Sequence, residues 1–159
     1  MKLPTTSQHK PVVVSENYDR VDGHSARNTD VKALSLGLAA KNDTGKAAIA
    51  AKAWKSTGEA WSTESEELPL HRILDLSLLV CRTLNHFREA YRYEHFYDPQ
   101  KPVIDRIALQ GDALNVAICT DNDTLHDDIK QFSRVLSEDD ELIGERLHAL
   151  ARLLKDMGY

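Results

Sequence analysis

Apolar and polar residues along this chain follow two periods, and the switches between them mark its elements. From Asp30 onward Leu34, Leu36 and Leu38 alternate with Ala33, Ser35, Gly37 and Ala39, the period of two that a strand produces. Residues 42–45, Asn-Asp-Thr-Gly, have the chemistry of a type I turn closed by a left-handed glycine, so a hairpin is predicted. Its loop pairs Asn42 with Lys46, which sets Trp54 opposite Leu34 and Ala50 opposite Leu38 on one face. The other face collects Ser35, Gly37, Ala51 and Ala53, small enough for another backbone to come close, and the helix that follows is the expected neighbour. A second hairpin is read in residues 104–119, IDRIALQGDALNVAIC, with Gly111-Asp112 as a two-residue turn that pairs Leu109 with Leu114 and Ile107 with Val116.

Elsewhere the period lengthens to that of helices. Pro69 suits a first helical turn, and the pattern predicts one long helix from there through the nineties, stopped by Asp98-Pro99. Stepped at about 100° per residue, Leu70, Ile73, Val80, Leu84, Phe87 and Tyr91 share the core side, while His71, Asp75, Arg82, His86, Glu89 and Tyr93 form a polar stripe nearly opposite. Thr124 caps a second helix carrying Leu125, Ile129, Phe132 and Leu136. Ser137 and Asp140 have capping-box spacing before a third helix, whose stripe is Ile143, Leu147, Leu150, Leu154 and Met157 and whose end is Gly158. The order predicts an α+β fold: two antiparallel β-hairpins in one sheet, a long central helix and two C-terminal helices. Residues 1–30 have no sustained period beyond a short strand at 11–14, so they are read as an N-terminal arm ahead of a single α+β domain over residues 31–159.

Composition then narrows the classes of function. With 42% hydrophobic and 28% charged residues, the 159-residue chain has the make-up of a globular protein able to bury a core. A formal charge of -5 makes nucleic acid an unfavoured partner. No stretch nears the roughly 20 apolar residues of a membrane span, and the N-terminus lacks a signal-peptide core, so no membrane partner and a cytoplasmic location are expected. Cys81 and Cys119 lie in apolar runs, where cysteine is usually a small buried hydrophobe, and this suits a reducing interior.

Candidate chemistry concentrates in residues 82–99, RTLNHFREAYRYEHFYDP. Within the polar stripe, His71 with Asp75 and His86 with Glu89 have the helical spacing at which two side chains share a divalent metal. A solvated helix face explains the same stripe, and no HExxH pattern accompanies it. Arg88 and His95 fall on the core side beside Tyr91, where a cation and a histidine call for partners. Arg88, His95 and Tyr97 together spell Arg, six residues, His, one residue, Tyr, which resembles the ribonuclease signature of HEPN-type toxins. That resemblance implies a helical domain in which arginine and histidine of two subunits meet to cleave RNA.

Two further segments carry polar side chains. Residues 120–128, TDNDTLHDD, offer carboxylates for Mg²⁺, and are equally the acids that complement a helix start. Residues 54–69 hold two tryptophans in a loop; Trp54 ends a strand and belongs to the core, which leaves Trp61 for a binding surface. No nucleophile elbow of GxSxG type occurs, so acyl transfer is not expected. The sequence thus points to a binding or interaction module that self-associates and takes an unknown small ligand or protein partner, with Trp61, Arg88, Arg92, His95 and Tyr97 as its contact residues. The competing expectation is an enzyme, either a metal-dependent hydrolase on His71, Asp75, His86 and Glu89 or a HEPN-like ribonuclease on Arg88, His95 and Tyr97.

Overall fold

Side-chain size decides how the first sheet assembles. The structure is a computed structural model that describes residues 9–39, 47–58, 60–62 and 65–159. Strands β1 (His9–Ser15), β2 (Val31–Ala39), β3 (Ile49–Lys55) and β4 (Glu66–Pro69) form one antiparallel sheet in the order β1-β2-β3-β4. Residues 9–15, inside the segment expected to be an arm, are therefore an edge strand, and two 3₁₀ turns, Tyr18–Arg20 and Gly23–Ser25, follow it. Trp54 faces Ala33 and Ala50 faces Gly37, one residue away from the expected pairing. Because side chains alternate, that single step moves Trp54 and Ala50 to the face of Ala33, Ser35 and Gly37. The small residues make room for the indole and for His9, and all of them are buried. A Cβ on Gly37 would lie 2.2 Å from the Lys10 carbonyl oxygen, so the backbone that approaches this glycine is β1 and not the helix. The expected Asn-Asp-Thr-Gly turn, residues 42–45, lies outside the described residues.

The leucines consequently take the opposite side of the sheet. Three cross-strand rows run over it: Lys10, Leu38 and Ile49; Val13, Leu36, Ala51 and Leu68; Ser15, Leu34, Ala53 and Glu66. Its large apolar side chains remain between 36% and 63% exposed. Helix α1 (Leu70–Glu89) follows β4 directly, with Pro69 as the last strand residue rather than the first helical one.

The chain divides into two compact units, Met1–Ser77 and Leu78–Tyr159, with the boundary inside α1. In the second unit α1 stops at Glu89, nine residues before the expected end, and a 3₁₀ turn, Ala90–Arg92, takes over. The expected core side is not sealed even within α1, where no residue is buried, Val80 is 49% exposed and Arg88 is exposed; past the helix end Tyr91 and His95 are exposed too. Strands β5 (Val103–Ala108) and β6 (Ala113–Ala117) form a separate two-stranded sheet. Ile107 pairs with Leu114 and Asp105 with Val116, two residues from the expected register, because Gln110-Gly111 rather than Gly111-Asp112 makes the turn, closed by Leu109 N–H on Asp112 O at 3.0 Å. A shift by two preserves the faces, so Ile107, Leu114 and Val116 still share one. Helices α2 (Leu125–Glu138) and α3 (Asp140–Asp156) complete the unit. Ser137 lies inside α2, bonded to Ser133 O, and Asp139 stands at the start of α3, so the expected capping box does not form. Val116 and Ile129 are buried in this unit, and Phe87 meets Phe132 edge-on at 5.1 Å. Cys81 and Cys119 are free and exposed, contrary to the expected burial.

Candidate functional site

The polar stripe on α1 is half wall and half surface. Arg82, Asn85, His86 and Glu89, at helical spacing, line a cleft of about 230 Å³ together with Arg92, Tyr93, Ile104 and Asp105. The 3₁₀ turn brings Arg92 and Tyr93 to it, and β5 supplies Ile104 and Asp105. Arg82 Nε is shielded from solvent and meets the Asp105 carboxylate as an ion pair, without the alignment of a good hydrogen bond. His86 Nε2 lies 2.9 Å from the Phe96 carbonyl oxygen, which requires the proton on Nε2 as the donor. That bond fastens Phe96 at φ 65°, a left-handed conformation uncommon for a side chain of this size. The His86 ring also stacks on Tyr93, with planes 17° apart and centroids 6.3 Å apart. Arg92 pairs with Glu89 at 3.5 Å; its pKa is raised by a hydrogen bond with Tyr91 and by the Glu89 charge, so it stays cationic.

The other expected site residues do not converge on this cleft. Arg88 lines a second one, of about 260 Å³, whose walls include Leu84, Phe87, Ser133 and Asp140. His95 instead meets His126 edge-on at 5.7 Å, and neither His95 nor Tyr97 lines the Arg88 cleft. The HEPN resemblance needs its arginine and histidine on a helical scaffold, whereas α1 ends before His95 and strands precede and follow it along the chain. His71 and Asp75 belong to the first unit and His86 and Glu89 to the second. Among the described residues no group of three or more His, Cys, Asp or Glu is placed to hold a metal ion. The acidic segment closes on itself as a helix start: Asn122 and Thr124 donate to Asp128 Oδ2 at 3.0 and 2.7 Å, and these bonds hold the Asp128 carboxyl below the usual range. Cys119 donates its thiol hydrogen to Asp121 at 3.0 Å, which raises the thiol pKa and lowers that of the carboxyl.

Sequence reasoning missed a polar cluster in the first unit. His9 lies 3.2 Å from Glu67 Oε1 through Nδ1 and 3.0 Å from Ser35 Oγ through Nε2, and Trp54 Nε1–H donates to the same Ser35 oxygen at 2.8 Å. Lys52 Nζ sits 4.4 Å above the Trp54 ring and 3.9 Å from Glu67. Serine, histidine and glutamate are connected in the order of a hydrolase triad. Ser35 is only 5% exposed and His9 fully buried, so no substrate reaches the hydroxyl, and the indole N–H already occupies it. The cluster is a buried hydrogen-bond lock across the sheet, with Nδ1–H of His9 on Glu67 and the Ser35 hydroxyl on Nε2 as the assignment that satisfies every group. Trp61 packs edge-on against Trp54 with centroids 6.2 Å apart and is half-buried. The alternation of small residues on β2 was the one signal for this lock; nothing in the sequence ties His9 to it.

No described helix is long and apolar enough to cross a membrane. No curated protein and no solved structure matches the chain. A family model does match, over residues 1–159, and by it the chain belongs to DUF6530, a family of unknown function.

Proposed function

We propose that this protein is a cytoplasmic, self-associating binding module that takes a metabolite-sized zwitterion in the cleft of its second unit. The observation that carries the reading is the make-up of that cleft: two arginines, each paired with a carboxylate, beside an amide, an imidazole and a phenol. With neutral histidine its formal charges cancel, so a polyanion gains little net attraction there. A molecule that bears both an anionic oxygen and an ammonium group satisfies guanidinium and carboxylate together, in charge-assisted hydrogen bonds. The volume, about 230 Å³, lies below the roughly 300–1,000 Å³ of drug-sized pockets and suits a small metabolite. Two free thiols, Cys81 and Cys119, fit a reducing compartment.

The test is a thermal-shift panel of L-amino acids with their N-acetyl and methyl-ester derivatives, each of which lacks one of the two charges. The amino acids that fit raise the melting temperature more than either derivative. Arg92→Ala, at an exposed side chain, removes that shift while changing ligand-free stability by no more than about 0.5 kcal/mol. A wild-type protein that responds to no member of the panel overturns the reading.

A further inference from the structure

The four-stranded sheet buries one face and leaves the other, with all of its large apolar side chains, open. Val13, Leu34, Leu36, Leu38, Ile49 and Leu68 stand together on the open face at 63%, 36%, 39%, 42%, 50% and 38% exposure. Scattered apolar residues need no explanation, but these are contiguous, because Val13, Leu36, Ala51 and Leu68 form one unbroken row across all four strands. At these exposures the six side chains offer on the order of 450 Å² of apolar surface, inside the range of about 300–600 Å² of the largest patch on a monomer. At the β1 edge of the same sheet Pro11 lacks an N–H and a bulge interrupts the ladder between Pro11 and Val13, both features that discourage further strand pairing there.

Charge on the rim selects the occupant. Lys10 stands on this face at the β1 end of the first row, and Glu66 at the β4 end of the third, diagonally opposite. Glu66 is 73% exposed and meets Lys55 at 3.0 Å. A two-fold axis lying in the face along the other diagonal sets Lys10 of each copy over Glu66 of the other, so the two ion pairs form at once and the leucine row crosses its own copy. Sheets stacked face to face with their strands near perpendicular are one of the two standard packings. The surface is thus complementary to itself, as an isologous dimer requires. Its apolar centre supplies somewhat more than half of the roughly 800 Å² that each partner contributes to a standard interface, and Lys10, Ser15, Glu66 and the two alanines extend it.

We infer that the Leu34–Leu36–Leu38 face of the first unit is the surface through which two copies of this chain associate, with Lys10 and Glu66 as reciprocal charge partners. The inference rests on the self-association in the proposed function and names its surface. Sedimentation equilibrium of the full chain tests it, with circular dichroism to confirm folding of each variant. Wild type is expected to be a dimer. Leu36→Asp, which sets a charge in the centre of the face, is expected to weaken the dimer by about 30-fold or more, the effect of losing an interface hot spot. Lys10→Glu is expected to weaken it by roughly threefold to tenfold, and Lys10→Glu with Glu66→Lys to restore it. A monomeric wild type overturns self-association itself. A dimer that survives Leu36→Asp overturns the face while self-association stands. Failure of the double reversal to restore association overturns the two-fold arrangement.

Discussion

Replacing Ser35 by alanine is expected to destabilise the first unit out of proportion to the single atom removed. Ser35 Oγ is the shared partner of two buried groups, the indole N–H of Trp54 at 2.8 Å and Nε2 of His9 at 3.0 Å. Trp54 is 2% exposed and His9 is sealed, so water does not replace the hydroxyl without opening the sheet. A buried polar group left without a partner costs about 1–3 kcal/mol, which for two groups sets an upper range near 6 kcal/mol. Small rearrangements recover part of this, and we expect a loss of about 2–4 kcal/mol, a large share of the roughly 5–15 kcal/mol of a whole domain. Both tryptophans of the chain, Trp54 and Trp61, lie in this unit, so urea unfolding followed by tryptophan fluorescence reports on it selectively. With Trp54→Phe as background no indole N–H is stranded, and Ser35→Ala should cost less by about 1–3 kcal/mol, a coupling that a double-mutant cycle reads directly. A Ser35→Ala protein within about 0.5 kcal/mol of wild type, or strict additivity in the cycle, would refute the lock.

Other perturbations follow from the same geometry. Gly37→Ala places a methyl 2.2 Å from Lys10 O and 2.8 Å from Pro11 Cα, both backbone atoms, so β1 must lift; a loss above the usual overpacking cost of about 1–3 kcal/mol, with faster amide exchange in β1, is expected. Gly111 has φ 101° at the second central position of the β5–β6 turn, and Gly111→Val is expected to lower the melting temperature of the second unit, read by its amide exchange. Asp128 has a depressed pKa in the folded chain, so its contribution is present above the unfolded carboxylate value of about 3.9 and is lost as pH falls through the folded value. Acid titration of stability should accordingly show a shallower acid limb for Asp128→Ala than for wild type, and identical limbs would show that the Asn122 and Thr124 bonds do not form in solution.

Strong local patterns carried the fold, and long-range packing decided where they misled. Both hairpins, the long helix and the two C-terminal helices announce themselves by period, because each sets its apolar and polar residues on different sides. Register does not: the expected loop put Trp54 among the leucines, but an indole needs the space beside Ala33, Ser35 and Gly37, and that preference moves the pairing by one residue. The end of α1 was illegible for a similar reason. Residues 90–98 continue a helical pattern on paper, yet a 3₁₀ turn takes over at Ala90, Tyr93 is extended, and further on the Phe96 carbonyl is held by His86 from ten residues earlier, a contact no local rule anticipates. Of the candidate site, Arg82, His86 and Glu89 were readable as one stripe, since helical spacing alone aligns them. Asp105 was not, because a strand brings it back to Arg82, and His9 was hidden in a segment with no period of its own.

The most direct measurement of the central claim is a titration of isotopically labelled protein with an L-amino acid selected by the thermal-shift panel, followed by amide and side-chain chemical shifts. A zwitterion site in this cleft predicts saturable changes centred on Arg82, Asn85, His86, Glu89, Arg92, Tyr93 and Asp105, lost in Arg92→Ala. Saturable changes centred elsewhere, or none with any amino acid of the panel, would contradict it.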